Sequence, residues 1–231
     1  MPDHNEVYES KAEQYERLIS REDYLNKIPQ TLTSICTFEG AEIIDLGAGT
    51  GRLTCLFAPI AQSIVAFDLS EHMLEVTAAK LRDVGLNNCK TIVADHRSLP
   101  VQDRCADIVM AGWSICYIAS FNVDDWQNNI RKVISEMKRV VRPGGELIIL
   151  ETLGTGNETP QAPDFLQDYY NMLKNEFDFS HTYIRTDYQF DSVGEAEELT
   201  SFFFGDEFAD RVEREKLTIV PECTGIWWLR V

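Results

Sequence analysis

Apolar residues along this chain follow two spacings, one typical of buried strands and the other typical of helices. Short, mostly apolar runs, which suit strands buried on both faces of a sheet, cover residues 43–46, 63–67, 91–94, 105–111 and 146–151. Between these runs, apolar residues recur every three or four positions, as on one face of a helix. Strands that alternate with helices in this way predict an α/β fold with a doubly wound parallel sheet and right-handed crossovers.

Capping residues and helix breakers mark several boundaries. Ser70 is placed to cap a helix that runs through Leu81 and is stopped by Gly85. A longer helical pattern over 126–140 meets Arg142-Pro143-Gly144-Gly145, where proline and paired glycines cannot continue a helix. We therefore expect the chain to break at 142–145 and to enter a fifth strand at once.

Two helical patterns precede the first strand. The second, over residues 25–35, contains Pro29, which suits the first turn of a helix. The first, over residues 6–20, has a charged face opposite one formed by Tyr8, Ala12, Tyr15 and Ile19.

The segment after the fifth strand mixes loop, helix and strand signals. Glycines and prolines make 152–164 a polar loop able to cover a cleft, and a helical spacing follows over 165–177. Strand-like alternation covers 182–190, and Ser192 with Glu195 fits a capping box that opens another helix. The last two strands are expected at 217–220 and 226–229, separated by Pro221 and Gly225.

Composition narrows the class of protein. A length of 231 residues suits one α/β domain with some decoration. The formal net charge of −17 disfavours nucleic acid as a partner, because binding to phosphate backbones normally relies on a basic surface. The six cysteines form no C-x-x-C pair, and no apolar stretch approaches the roughly 20 residues of a membrane span. We therefore expect a reduced, cytoplasmic protein with no metal and no membrane partner.

The most informative stretch joins the first strand to the helix after it, where Gly47, Gly49 and Gly51 follow Asp45. Glycines at every second position force a tight turn whose backbone N–H groups can touch a ligand. The dinucleotide fingerprint G-x-G-x-x-G is absent, and Asp45 would repel a diphosphate but attract a cation. Asp68, at the end of the second strand, is placed to accept the two hydroxyls of a ribose.

Asp45, the G-x-G-x-G turn and Asp68 resemble the class I S-adenosylmethionine-dependent methyltransferases, in particular the small-molecule, type 11 kind. Asp95 and the R-P-G-G segment extend the resemblance over most of the first 151 residues. The resemblance implies S-adenosyl-L-methionine as cofactor. It also implies a Rossmann-like, mostly parallel seven-stranded sheet with helices on both faces, an antiparallel last strand and an N-terminal helical cap over the cleft.

The resemblance also implies a cofactor site residue by residue. The amino acid end of the cofactor is expected near Asp45 and Gly47, its ribose on Asp68, and its adenine beside Asp95. The full set of expected cofactor-binding residues is Asp45, Gly47, Ala48, Gly49, Gly51, Asp68, Leu69, Asp95, His96 and Gly112.

The expected reaction is in-line transfer of a methyl group to a small-molecule acceptor, a reaction that needs positioning more than covalent help. Trp113, Ser114 and Tyr117 follow the strand whose end faces the methyl group in the resembling family, and Tyr8 and Tyr15 are placed to close the pocket. His181 is the candidate base, because its unperturbed pKa suits proton transfer near neutral pH.

These patterns predict a single methyltransferase domain, monomeric or homodimeric. It would divide into a helical cap over 1–40, a cofactor-binding core over 41–151 and a substrate-side segment over 152–231. Two alternatives stay open, a non-catalytic protein that binds the same cofactor and a nucleotide-dependent oxidoreductase of related fold. The scattered cysteines also leave open an arsenic or thiol acceptor, although no close cysteine pair marks such a site.

Overall fold

The computed structural model describes residues 10–120 and 123–231. Its strands are β1 (Glu42–Leu46), β2 (Ser63–Asp68), β3 (Cys89–Val93), β4 (Ala106–Gly112), β5 (Val141–Thr155), β6 (Ser180–Arg185), β7 (Tyr188–Gln189), β8 (Ile219–Val220) and β9 (Glu222–Arg230). Within the described residues, seven of these strands form one sheet in the order β3-β2-β1-β4-β5-β9-β6. Neighbours from β3 to β5 are parallel, and β9 runs antiparallel to both β5 and β6.

Helices cover both faces of this sheet and also pack around the separate pair β7 and β8. They are α1 (Ala12–Ile19), α2 (Lys27–Ile35), α3 (Arg52–Phe57), α4 (Glu71–Asp83), α5 (Cys116–Ala119), α6 (Trp126–Val140), α7 (Gln167–Asn175), α8 (Val193–Phe204) and α9 (Asp206–Glu215). Ile43 and Ile108 pack with α2, α3 and α4 on one face. Ile44 and Val109 pack with α6 and α7 on the other face. Because both faces are buried, the central strands carry continuous apolar runs, and the expected doubly wound fold is confirmed.

The expected position of the last two strands was partly wrong. Residues 217–220 do not join the main sheet, because only Ile219–Val220 is a strand and it pairs with β7 in a separate two-stranded sheet. The seventh strand is β6 instead, which accounts for the first half of the alternation seen over 182–190. Gly225 lies inside β9 and separates nothing.

The R-P-G-G segment ends α6 at Val140, as expected, but it lies within the bounds of β5. The register of β4 with β5 jumps from Ala106↔Val141 to Ile108↔Glu146. Residues 142–145 therefore bulge out opposite the single residue Asp107, which accepts a hydrogen bond from Arg142 Nη1 at 2.7 Å.

The capping residues act largely as the sequence predicts. Ser70 Oγ accepts a hydrogen bond from Met73 N–H at 3.2 Å at the start of α4. Ser192 Oγ accepts from Glu195 N–H at 3.1 Å, but the Glu195 carboxylate accepts from Asp191 N–H at 2.8 Å rather than from Ser192. The Glu195 carboxylate therefore bonds to the N–H group one residue before the N-cap, whereas a standard capping box uses the N–H of the N-cap residue itself.

Helix α1 is fixed between two distant parts of the chain. Glu16 pairs with Lys80 of α4 at 2.6 Å, and Arg17 pairs with Glu198 of α8 at 2.9 Å. Leu18 joins an apolar cluster formed by β7, β8, α8 and α9. These contacts hold α1 above the carboxyl ends of β1 and β2, where the cavity described below opens.

Helices among the residues described are too short or too polar to cross a membrane.

Candidate functional site

A cavity of about 1030 Å³ lies at the carboxyl ends of β1, β2 and β4. One wall is the turn after β1 together with the ends of β2 and β4. The opposite wall is built from α1, the start of α3, the end of β5, β7, α8 and the start of β9. Binding sites in α/β sheets form in this crevice, where the loops after neighbouring strands diverge. Its volume is at the upper end of the range for small-molecule sites, so two ligands have room side by side.

The glycine turn after β1 adopts backbone conformations that favour glycine, with φ +66° at Gly47 and +54° at Gly49. A Cβ at Gly47 would lie 2.2 Å from Ser114 Cβ, so the turn packs directly against the segment after β4. A Cβ at Gly49 would meet no protein atom within 4 Å, and this residue lines the cavity. The backbone at Gly49 is therefore open to close approach by a ligand.

Asp45 is buried at the base of the turn and lines the cavity. Thr54 Oγ1 donates a hydrogen bond to Asp45 Oδ2 at 2.6 Å. Burial raises the pKa of this carboxyl to about 7, with a contribution from the nearby charge of Asp68. A cationic ligand beside Asp45 would favour its ionised form, so the carboxyl is suited to an ammonium or sulfonium group.

Asp68 ends β2 and orders the loop around it. Its Oδ2 accepts from Gly49 N–H at 2.8 Å, and its Oδ1 accepts from Ser70 N–H at 2.9 Å. Each carboxylate oxygen accepts more than one hydrogen bond, so Asp68 can also receive ligand hydroxyls. The carboxylate that is expected to hold a ribose therefore also holds the glycine turn.

Asp95 lies beyond β3 in the cavity wall, but its carboxylate already has a charged partner. Arg97 Nη2 donates to Asp95 Oδ2 at 2.5 Å, and Arg97 Nε donates to Oδ1 at 2.9 Å. This guanidinium lowers the pKa of Asp95, and burial lowers the pKa of the neighbouring His96. Leu69 also lines the cavity and is 66% exposed. An adenine amino group at Asp95 would share the carboxylate with Arg97.

Acidic side chains outnumber basic ones in the lining of the cavity. Among the described residues of its lining, the carboxyl groups of Glu22, Asp45, Asp68, Glu71, Asp95 and Glu222 outnumber the guanidinium groups of Arg52 and Arg97. Arg52 is paired with Glu22 and Arg97 is paired with Asp95. The remaining carboxyl groups favour a cationic ligand over a phosphorylated one. Over the same part of the chain, no group of three or more histidine, cysteine and acidic side chains is arranged to hold a metal ion.

The opposite wall contains an ionic cluster that sequence reasoning missed. Arg52 Nη1 pairs with Glu22 Oε2 at 2.6 Å, and the Arg52 guanidinium lies 4.1 Å from the centre of the Trp113 ring. Thr186 Oγ1 donates to the other oxygen of Glu22 at 2.9 Å. No local pattern pointed to this cluster, because Glu222 lies between the two strands expected at 217–220 and 226–229.

Most of the residues that the sequence suggested for the acceptor side line the cavity. Tyr15, Trp113 and Tyr117 all line the cavity, as do Ser114 and Gly112. Tyr15 packs against Phe203 with ring centroids 5.5 Å apart. Aromatic side chains from the helices before and after the core therefore pack together in one wall of the cavity.

Two other candidates do not line the cavity, and a third cannot be placed in it. Gly51 lies at the N-terminus of α3 with φ +84°, and a Cβ there would lie 2.7 Å from Thr77 Cγ2, so it shapes the turn from behind. His181 is on the outermost strand, β6, with its ring 4.6 Å from Trp227, and it does not line the cavity. Tyr8 lies outside the described residues.

The loop expected over 152–164 is shorter than its sequence suggests, because β5 continues to Thr155. The pairing of β5 with β9 shifts between Thr152 and Thr155, where Gly154 has φ +119°. Thr152, Gly154 and Thr155 line the cavity next to Glu222. The irregular end of β5 therefore forms part of the cavity wall, where the sequence predicted a loop that covers the cleft.

Residues 44–149 match the family described as a methyltransferase domain. The demethylmenaquinone methyltransferase of Bacillus subtilis is 29% identical over 174 residues, which cover 73% of this chain and 69% of that enzyme. The ubiquinone/menaquinone biosynthesis C-methyltransferase UbiE of Shewanella frigidimarina is 34% identical over 116 residues, 48% of this chain and 43% of that enzyme. A solved S-adenosylmethionine-dependent methyltransferase of Aquifex aeolicus has a TM-score of 0.62 at 14% identity, covering 96% of this chain and 98% of its own.

Proposed function

Because this chain is a class I S-adenosylmethionine-dependent methyltransferase that acts on a small molecule, we propose that its acceptor is a planar ring that carries a hydroxyl group. The observation that carries this proposal is the second half of the cavity, where aromatic side chains surround buried polar groups. The relatives are methyltransferases, which supports this activity over an oxidoreductase or a non-catalytic binder.

The cofactor would occupy the half of the cavity that contains the glycine turn. We propose that Asp45, Gly47, Ala48 and Gly49 hold its amino acid end, and that Asp68 holds its ribose. Leu69, Asp95, His96 and Gly112 would surround the rest. The open face of Gly49 and the acidic lining support this fit.

When bound, S-adenosylmethionine supplies an activated methyl group on a positively charged sulfur. The chain's own task is then to orient the acceptor and to exclude water, which together account for much of the rate in such transfers. Helix α1 closes one side of the cavity with Tyr15, while the Arg52 guanidinium lies over the Trp113 ring. We propose that residues 10–40 and 152–231, together with Arg52, Trp113 and Tyr117 of the core, form this acceptor side, and that the rest of 41–151 forms the cofactor side.

The names of the relatives indicate which ring to test. Demethylmenaquinone and ubiquinone are quinones, and a quinone carbon is itself electrophilic. Only the reduced form, a hydroquinone, has an electron-rich ring carbon able to attack a methyl group. We therefore propose a hydroquinone or a related phenol as acceptor, methylated on carbon.

The direct test is incubation with methyl-labelled S-adenosylmethionine and 1,4-naphthohydroquinone under anaerobic, reducing conditions. We expect label in a ring-methylated product identified by mass spectrometry. Label recovered only in unreacted cofactor would contradict the proposed acceptor class, provided that S-adenosylhomocysteine binds in calorimetry.

The position of the acceptor is tested by variants of its aromatic wall. Tyr15→Ala, Trp113→Ala and Tyr117→Ala should each lower turnover while leaving S-adenosylhomocysteine affinity within a few fold. Normal turnover in all three would place the acceptor elsewhere, even with the cofactor site correct.

A further inference from the structure

Two buried polar atoms on the acceptor side of the cavity have no hydrogen-bond partner among the described residues. They are Glu222 Oε2 and Arg52 Nη2, and both residues line the cavity. Glu222 is 2% exposed, and its other oxygen accepts from Thr152 Oγ1 at 2.8 Å. Arg52 uses Nη1 for Glu22 and lies over Trp113. Buried polar atoms are normally paired, so an unpaired acceptor and an unpaired donor in one cavity wall indicate a polar ligand.

The backbone holds Glu222 firmly in this position. Glu222 N–H donates to Asp187 Oδ1 at 3.1 Å, and Glu222 C=O accepts from Thr186 N–H at 2.9 Å. The pairing of β5 with β9 shifts between Thr152 and Thr155, so that Glu222 pairs with Thr155. These backbone bonds fix the side chain at the start of β9, where its Oε1 accepts from the uncharged hydroxyl of Thr152.

The electrostatic surroundings favour a neutral carboxyl at neutral pH. Burial, together with the charge of Glu22, raises the pKa of Glu222 to about 8, while the hydroxyl groups of Thr155 and Thr152 and the charge of Arg52 act in the opposite direction. The titratable and charged groups that face or adjoin Glu222 are Glu22, Arg52, Tyr170, Asp187, Tyr188 and Cys223. As the pH rises through about 8, Glu222 loses its proton and becomes a base.

The geometry points to Glu222 and Arg52 as the site that receives the hydroxyl group of the acceptor, with Glu222 Oε2 taking the hydroxyl proton and Arg52 Nη2 donating to the hydroxyl oxygen. This inference rests on the proposed function, because it assigns residues to the hydroxyl that the proposed acceptor carries. Glu222 would be a catalytic residue and Arg52 a second contact to the same oxygen.

The proton and electron balance of this step is complete. The O–H proton moves to Glu222, and the electron pair of that bond enters the ring and makes a neighbouring carbon nucleophilic. That carbon forms the new bond to the methyl group, whose bond to sulfur breaks with its electron pair left on sulfur. The carbon then loses its hydrogen as a proton to water, and the oxygen regains a proton from Glu222, which restores the aromatic ring and the base.

The test compares Glu222→Gln with the matched control Glu151→Gln. Glu151 is also fully buried, has a pKa raised to about 8 by burial and has an unpaired Oε2, but it does not line the cavity. Turnover of 1,4-naphthohydroquinone is measured across pH 6 to 9.5, together with S-adenosylhomocysteine affinity. A general base contributes roughly 100-fold or more, so Glu222→Gln should lower kcat by about that factor.

The pH profile distinguishes a catalytic role from a structural one. For the wild-type enzyme, kcat should rise with pH through about 8. This rise should be absent in Glu222→Gln, present in Glu151→Gln and partly restored in Glu222→Asp. S-adenosylhomocysteine affinity should stay within a few fold in all variants. Because 1,4-dimethoxynaphthalene has no hydroxyl proton, it should bind the wild-type enzyme loaded with S-adenosylhomocysteine at least tenfold more weakly than the hydroquinone.

Several outcomes would overturn the inference. These are a Glu222→Gln variant with wild-type kcat and pH profile, equal binding of the dimethoxy compound, or no binding of the hydroquinone to the loaded wild-type enzyme. If Glu222→Gln does not fold, a wild-type kcat that does not rise near pH 8 would also reject the inference. Failure of the wild-type protein to bind S-adenosylhomocysteine would instead reject the cofactor site on which the proposed function depends.

Discussion

The two walls of the cavity are built in different ways. The wall with the glycine turn uses backbone groups, the buried carboxyl of Asp45 and the half-buried carboxylates that follow or end β2 and β3, and consecutive landmarks of the sequence supply it. The opposite wall uses the buried carboxyl groups of Glu22 and Glu222 and the largely buried guanidinium of Arg52, from segments up to 200 residues apart. Backbone geometry recurs in any chain with the right turn, whereas a buried ionic cluster depends on every partner being present. The second wall should therefore tolerate substitution less well.

The largest effect is expected from Arg52→Met. This substitution leaves Glu22, whose side chain is 3% exposed, without its cation, and removing one member of a buried ion pair costs about 3 to 5 kcal/mol. Urea unfolding should show this loss in the free energy of unfolding. The control is Arg17→Met, whose partner Glu198 is half exposed and whose loss should cost about 1 kcal/mol or less. Equal losses would mean that the buried cluster does not stabilise the acceptor wall.

On the cofactor wall, Gly47→Ala should destabilise more than Gly49→Ala. Both positions have positive φ, which costs an alanine about 1 to 2 kcal/mol. At Gly47 the new Cβ would also lie 2.2 Å from Ser114 Cβ, so overpacking brings the total to roughly 2 to 4 kcal/mol. Denaturant midpoints for the two variants measure the difference. A Gly49→Ala loss as large as that of Gly47→Ala would contradict the open face assigned to Gly49.

A smaller and more specific effect is expected from Asp68→Ala. Hydrogen bonds that involve a charged group contribute about 1.5 to 3 kcal/mol, so S-adenosylhomocysteine should bind roughly ten- to a hundredfold more weakly. Calorimetry measures this directly. Asp103→Ala removes an exposed carboxylate that pairs with Arg139 outside the cavity, and its affinity should not change. Unchanged affinity in Asp68→Ala would remove this residue from the cofactor site.

The smallest effect is expected from His181→Gln. The ring lies on the outermost strand against Trp227, and burial with the charge of Lys174 lowers its pKa. Turnover and its pH profile should match the wild-type enzyme. A tenfold loss of kcat with normal S-adenosylhomocysteine affinity would restore His181 as the base and would argue against Glu222.

Sequence reasoning reached most of the sheet because its signals are local. The apolar runs of β1 and β4, the Ser70 cap and the end of α6 at Val140 each depend on residues that are neighbours in the chain. It failed at 217–220, because a short apolar run cannot tell whether it pairs with the main sheet or with a separate hairpin. Strand pairing over such distances is decided by packing and not by the run itself.

The sequence by itself determined the alternation of strands and helices, the glycine turn and the carboxylates at the ends of β1 and β2, because backbone conformation and hydrophobic period are properties of short segments. Only the tertiary structure decided that His181 is outside the cavity and that Glu22, Arg52 and Glu222 share one wall. The burial and charge state of such groups depend on residues brought together by folding, and no spacing along the chain encodes that environment.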